Sequence, residues 1–146
     1  MVDTQTADDM LADFQAHLNL IFARAKALWK ESAARVHPDL QPSGYKLLAY
    51  IARNGDTHAH QLADLFDLDK SAVSRQTRML EEFGLLSSRP DERDGRLRVL
   101  AATPQACEVL AELRAENADR MRSVLAELTP EEVHAASKVF HLLAEA

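Results

Sequence analysis

Thr57-His-Ala-His-Gln-Leu-Ala-Asp-Leu-Phe66, then Asp67-Leu68-Asp69, then Lys70-Ser-Ala-Val-Ser-Arg-Gln-Thr-Arg-Met-Leu-Glu-Glu-Phe83 and Gly84: the reading of the fold turns on this stretch. Thr57 is placed to cap a helix over 58–66. Asp69 is placed to cap a second over 70–83, and Gly84 ends it. The three residues between them form a tight turn. Leu62, Ala63, Phe66, Leu68, Val73 and Leu80 supply a shared apolar core, with small Ala63 where the helices would cross. Two helices joined in this way make a helix-turn-helix pattern.

The second helix has two different sides. At about 100° per residue, Val73 and Leu80 fall together, while Ser71, Ser74, Arg75 and Arg78 fall opposite. Arginine can bind guanine through two hydrogen bonds, and serine hydroxyls can meet base edges or phosphates. The plain alternative is a solvated helix face. The next residues decide between them. Leu85–Arg89 and Leu97–Ala101 read as short strands around a polar tip, residues 90–96. Arg89, Arg93, Arg96 and Arg98 gather there within ten residues. An arginine-tipped ribbon suits the negative potential of a DNA minor groove. Asp91 is expected to orient the Arg93 guanidinium. The alternative, a surface hairpin balanced by Asp91, Glu92 and Asp94, loses ground to the order of helix pair followed by basic wing.

Outward from this centre the pattern stays helical. Leu11, Phe14, Leu18, Ile21, Phe22, Ala25, Leu28 and Trp29 recur at three- and four-residue steps, so residues 8–36 read as one amphipathic helix. Pro38 and Pro42 close it. A short helix over 43–53 ends at Asn54-Gly55. After the hairpin, Thr103-Pro104 opens a further helix. Thr129-Pro130-Glu131-Glu132 is a capping box that opens the last one. The fold class is mainly α with a small β-hairpin wing. Its expected parts are an N-terminal helix (1–40), a winged helix-turn-helix (41–102) and C-terminal helices (103–146).

Composition agrees. In 146 residues, 47% are apolar and 27% charged, ordinary globular proportions. Alanine and leucine together number 45 against 10 valines and isoleucines, which favours helices. One cysteine, Cys107, excludes an internal disulfide and a thiol zinc cluster. It also suits a reducing, cytoplasmic setting. No apolar run reaches the roughly 18 residues of a membrane span, and the acidic N-terminus does not read as a signal peptide. The net charge is −6. It resides in the flanking helices, because residues 70–100 hold 7 bases and 5 acids. The result is an acidic body with a basic reading edge.

The run from Asp69 to Arg89, then Asp91-Glu-Arg-Asp-Gly-Arg96, then Thr103-Pro104, resembles the MarR-type winged-helix transcriptional regulators. Ala106, where that family usually has glycine, and Ala102, where leucine is common, are departures. The resemblance implies a homodimeric regulator of double-stranded DNA, often a repressor released by a small, commonly aromatic effector. Ser71, Ser74, Arg75 and Arg78 would then read the major groove, and Asp91, Arg93 and Arg96 would form the wing contact. Thr57, Lys70 and Arg89 are candidate phosphate contacts. Leu11, Phe14, Leu18, Leu125, Leu128, Val139, Phe140 and Leu143 are the expected dimer interface. His17, Phe22, Trp29 and Tyr45 are candidates to line an effector pocket, each with core packing as its alternative.

Other chemistry finds little support. No nucleophile motif, phosphate-cradling loop or separated carboxylate pair points to an enzyme. No cofactor or metal is expected: His58 and His60 are two apart, and nothing completes a ligand set for His134 and His141. Cys107 reads as a buried inert thiol, with a thiol-responsive regulator as the alternative. The remaining rival is a winged-helix protein-interaction module that does not bind DNA.

Overall fold

The computed structural model describes residues 4–146. They fall into two compact units, one running through Cys107 and the other from Glu108 to Ala146.

The first unit opens with α1 (Thr4–Val36), 33 residues of unbroken helix and so about 50 Å long. The helix starts earlier than the apolar periodicity does. Leu40 then packs into the core at 5% exposure, ahead of α2 (Pro42–Asn54). Proline in the first turn of α2 removes an amide that would have no helical partner. Gly55, at φ +78°, ends the helix and donates its N–H to the Ile51 carbonyl at 2.9 Å.

The helix pair follows as α3 (Ala59–Leu65) and α4 (Lys70–Glu82). Asp69 caps α4 as expected: its Oδ1 accepts the Ala72 N–H at 2.6 Å. Thr57 does not cap α3. It lies in a two-residue strand, β1 (Thr57–His58), is 3% exposed, and its hydroxyl donates to the Gly55 carbonyl at 2.8 Å. His58 takes the cap position instead, with its N–H donating to Gln61 Oε1 at 3.1 Å. In the turn between the helices Asp67 adopts φ +50°, and the Leu68 N–H reaches back to the Ala63 carbonyl at 3.0 Å.

The wing strands are β2 (Leu86–Pro90) and β3 (Arg98–Ala102), each one residue later than the sequence suggests. The sheet is antiparallel in the order β1-β3-β2, with Leu86 opposite Ala102 and His58 opposite Val99. The core lies where α2, α3 and α4 meet this sheet. Leu47, Leu48, Ile51, Leu62, Leu80 and Leu85 are essentially without solvent exposure. Val73, Leu86, Val99 and Leu100 complete it.

Thr103 ties this core to α5 (Pro104–Leu125), the helix that crosses between the two units. Its N–H donates to the Leu85 carbonyl at 3.0 Å. Its hydroxyl donates to the Gly84 carbonyl at 2.9 Å and accepts the Ala106 N–H at 3.3 Å. Ala106 is fully buried, so its methyl is accommodated where the family usually carries glycine. Cys107, one residue on, is exposed, which corrects the expectation of a buried thiol. The next position on an α-helix lies about 100° around the axis, so Cys107 turns away from the side that buries Ala106.

In the second unit α6 (Pro130–Glu145) opens on the anticipated capping box. Thr129 Oγ1 accepts the Glu132 N–H at 3.2 Å, and Glu132 Oε1 accepts the Thr129 N–H at 2.9 Å. No helix among the described residues is long and apolar enough to cross a membrane.

Candidate nucleic-acid interface

The amphipathicity of α4 sorts its side chains cleanly. Val73, Thr77 and Leu80 are buried. Ser71, Ser74, Arg75 and Arg78 are all exposed, as is Lys70 at the first position of the helix. Val73 and Leu80 are seven residues apart, two helical turns, so burying both leaves the polar set to solvent. Gln76, at the flank, reaches α2 through its Nε2, which donates to Ser43 Oγ at 3.1 Å. Beside α4 a cavity of about 430 Å³ opens toward the wing, with Lys70, Ser74 and Arg78 on one side and Arg96 and Arg98 on the other. The helix and the wing therefore present their cations to one shared space.

The wing tip is built around Asp91. Its Oδ1 accepts the N–H groups of Arg93 at 2.8 Å and Asp94 at 3.0 Å, a side-chain-closed turn. Its own N–H donates to the Leu97 carbonyl at 2.9 Å. Asp91 Oδ2 accepts from His58 Nε2 at 2.8 Å. Foremost the His58 bond, then the two backbone amides, hold the Asp91 carboxyl down at about 2, well below its ordinary 3.8. This corrects the expected Asp91–Arg93 ion pair: Asp91 grips the Arg93 backbone, and the guanidinium makes no hydrogen bond or ion pair among the described residues.

The other wing arginines are held. Arg96 Nε donates to Asp94 Oδ1 at 3.1 Å, and this pairing lowers the Asp94 pKa. Arg98 donates to Ser88 Oγ at 2.5 Å. Arg89 donates to Asp56 Oδ2 at 2.7 Å, an exposed ion pair that raises the Arg89 pKa. Of the three candidate phosphate contacts, Lys70 is exposed, Arg89 is engaged with Asp56, and Thr57 is buried with its hydroxyl turned to its own chain.

The remaining candidates lie elsewhere. Each residue expected at a dimer interface is exposed except half-buried Leu18. Phe14 is 42% and Phe140 57% exposed, a heavy apolar load for open solvent. Of the effector-pocket candidates, His17 donates from Nδ1 to the Asp13 carbonyl at 2.9 Å. Phe22 is exposed and Tyr45 half-buried, and Lys46 Nζ sits 3.9 Å over the Trp29 ring. None of the four lines the cavity beside α4. His37 stacks on Phe83, at the end of α4, with ring centres 3.8 Å apart. That contact, β1 and the His58–Asp91 bond were beyond the sequence reading, since each joins residues dozens of positions apart.

A family model described as the MarR family matches residues 39–97 of this chain. The transcriptional repressor MdtR of Bacillus subtilis is 25% identical over 142 residues, 97% of this chain and 90% of its own. The crystal structure of YusO from Bacillus subtilis superposes with a TM-score of 0.74 at 25% identity, covering 96% of this chain and 98% of that one. Streptococcus pneumoniae FabT, solved in complex with DNA, superposes with a TM-score of 0.84 at 15% identity, over 92% of this chain and 95% of its own.

Proposed function

Because the chain belongs to the MarR family of winged-helix transcriptional regulators, we propose that it binds a pseudo-palindromic DNA site as a homodimer, represses transcription in the cytoplasm, and is released by a small aromatic effector. The observation that carries DNA recognition is the exposed set Ser71, Ser74, Arg75 and Arg78 on α4, with Arg93 and Arg96 beside it in the same compact unit. The helix set suits base edges of the major groove, and Arg93 with Arg96 suits the minor groove. Exposure of Lys70 at the first position of α4 supports a phosphate contact there. Arg89 would do so only by exchanging Asp56 for a phosphate.

Homodimerisation is supported by the apolar residues left exposed on α1, α5 and α6, including Leu11, Phe14, Leu125, Val139, Phe140 and Leu143. Two-fold symmetry then calls for half-sites roughly 34 Å apart, one helical turn of DNA. An effector that favours a dimer with the wrong spacing would release DNA by population shift. His17, Phe22, Trp29 and Tyr45 remain the residues to test for its binding. The exposed thiol of Cys107 supports a second reading, in which alkylation or oxidation there changes DNA affinity. Cys107→Ser, insensitive to both treatments, would separate the two.

The deciding experiment is fluorescence anisotropy on a duplex from the chain's own upstream region. Arg75→Ala should relax sequence preference, at a cost of about 1–3 kcal/mol per lost bidentate contact. Arg93→Ala should weaken binding and flatten its salt dependence. Unchanged affinity and preference in both would reject the interface and favour a winged-helix module that binds protein.

A further inference from the structure

We propose that His58 is the positioning residue of the wing: acting through Asp91, it fixes the turn that aims Arg93. The inference rests on the reading that Arg93 meets DNA.

The connection is a single carboxylate used on both sides. His58 Nε2 donates to Asp91 Oδ2 at 2.8 Å, while Asp91 Oδ1 accepts the Arg93 and Asp94 amides. Both side chains are partly withdrawn from solvent, 31% and 21% exposed. His58 is itself fixed on two sides. Its backbone pairs with β3 opposite Val99, and its N–H is held by Gln61 in the first turn of α3. A short, stiff imidazole thus joins the start of the helix-turn-helix to the wing tip, 33 residues away in sequence.

The consequence falls on one arginine in particular. Arg89 and Arg96 have carboxylate partners of their own, Asp56 and Asp94. The Arg93 guanidinium has no such partner among the described residues. Its direction is therefore inherited from the backbone of the turn, and that backbone is held by Asp91. Loss of the His58 bond leaves the Asp91 carboxylate tied only to the amides of its own turn, and the turn loses its registration against α3. Charge-assisted bonds of this kind are stronger than neutral ones and directional, which is what a positioning contact requires.

The test is a double-mutant cycle on DNA affinity. His58→Phe keeps a ring of similar size and removes the N–H; His58→Gln keeps an N–H donor at a similar reach. Affinity and its salt dependence are measured on the upstream duplex for H58F, H58Q, R93A and H58F/R93A. H58F is expected to weaken binding on the order of three- to tenfold, with H58Q closer to wild type. In the R93A background H58F should change nothing further. Amide exchange of Arg93 and Asp94 in the free protein should quicken in H58F and recover in H58Q. If R93A weakens binding while H58F does not, or if the two losses multiply independently, the proposal is overturned and the wing contact stands. If R93A itself leaves affinity and salt dependence unchanged, the wing contact falls and takes this role of His58 with it.

Discussion

Replacing Thr103 by valine probes the joint between the helix-turn-helix and α5. Valine matches threonine in shape, so packing is preserved and only the hydroxyl is lost. That hydroxyl has two partners, the Gly84 carbonyl at 2.9 Å and the Ala106 N–H at 3.3 Å. The two losses differ in weight. Gly84 is exposed, so its carbonyl can turn to water and little is forfeited. Ala106 has no solvent exposure, so its amide is left without a partner. Losing a cap of this type costs typically about 1 kcal/mol, and an unsatisfied buried group about 1–3. The bond to Ala106 is long, which argues for the lower part of that range. Thr103→Val is therefore expected to destabilise by about 1–2 kcal/mol, or roughly 3–6 °C in a thermal melt for a chain of this size. Thr103→Ser keeps the oxygen and should cost under about 1 kcal/mol. Urea unfolding followed by circular dichroism, at one fixed protein concentration, measures both. A T103V within about 0.5 kcal/mol of wild type, or a T103S as damaging as T103V, would refute the reasoning.

Asp67 sits at φ +50° in the turn of the helix pair; Asp67→Val should cost about 1–3 kcal/mol, whereas Asp67→Gly should stay within about 0.5 of wild type. Equal losses in urea unfolding would count against backbone strain there. Asp91 has its pKa lowered to about 2, so its contribution to stability is complete above the ordinary carboxylate value and disappears as pH falls from about 4 toward 2. The stability difference between wild type and Asp91→Asn should shrink as pH falls from about 4 toward 2. A difference that grew with acid would contradict the assigned sign. Phe140→Glu places a charge on a residue 57% exposed in the single chain. It should shift the protein from dimer toward monomer in sedimentation, and an unchanged mass would move the proposed interface off α6.

The elements that proved legible were those whose signals are local. Asp69 before Lys70, the Thr129/Glu132 pair and the polar tip between two short strand-like runs each act within a few residues, and each reappears as geometry. The exposed side of α4 was legible for the same reason, since burying Val73 and Leu80 dictates where Arg75 and Arg78 point. Thr57 failed the same test. A threonine after Asn54-Gly55-Asp56 looks like a helix cap, but pairing with Leu100 draws it into a strand and buries it. That pairing partner lies far along the chain, and two residues carry no periodicity of their own. The tethers of the wing were hidden likewise. Asp91 stands two residues from Arg93 in sequence, yet its free oxygen finds His58 across the sheet. Cys107 was misjudged on residue type. Its neighbours could have corrected it, because Ala106, Leu110 and Leu113 mark the buried side of α5 and leave position 107 off it.

The ion pairs within the wing bear on how such a protein would find its site. In the proposed complex, Arg89 and Arg96 would each approach the duplex already holding a carboxylate. A phosphate gained there would displace an aspartate, which takes up a cation in its turn, so the net release of ions would be smaller than the number of arginines suggests. Random sequence would consequently hold the protein weakly, and the bulk of the chromosome would compete little for it. Time stalled on irrelevant stretches would be short, and excursions through solution would dominate over sliding. The operator would be distinguished chiefly by how long the protein stays once α4 has engaged the base edges, and a few copies per cell could then keep it occupied.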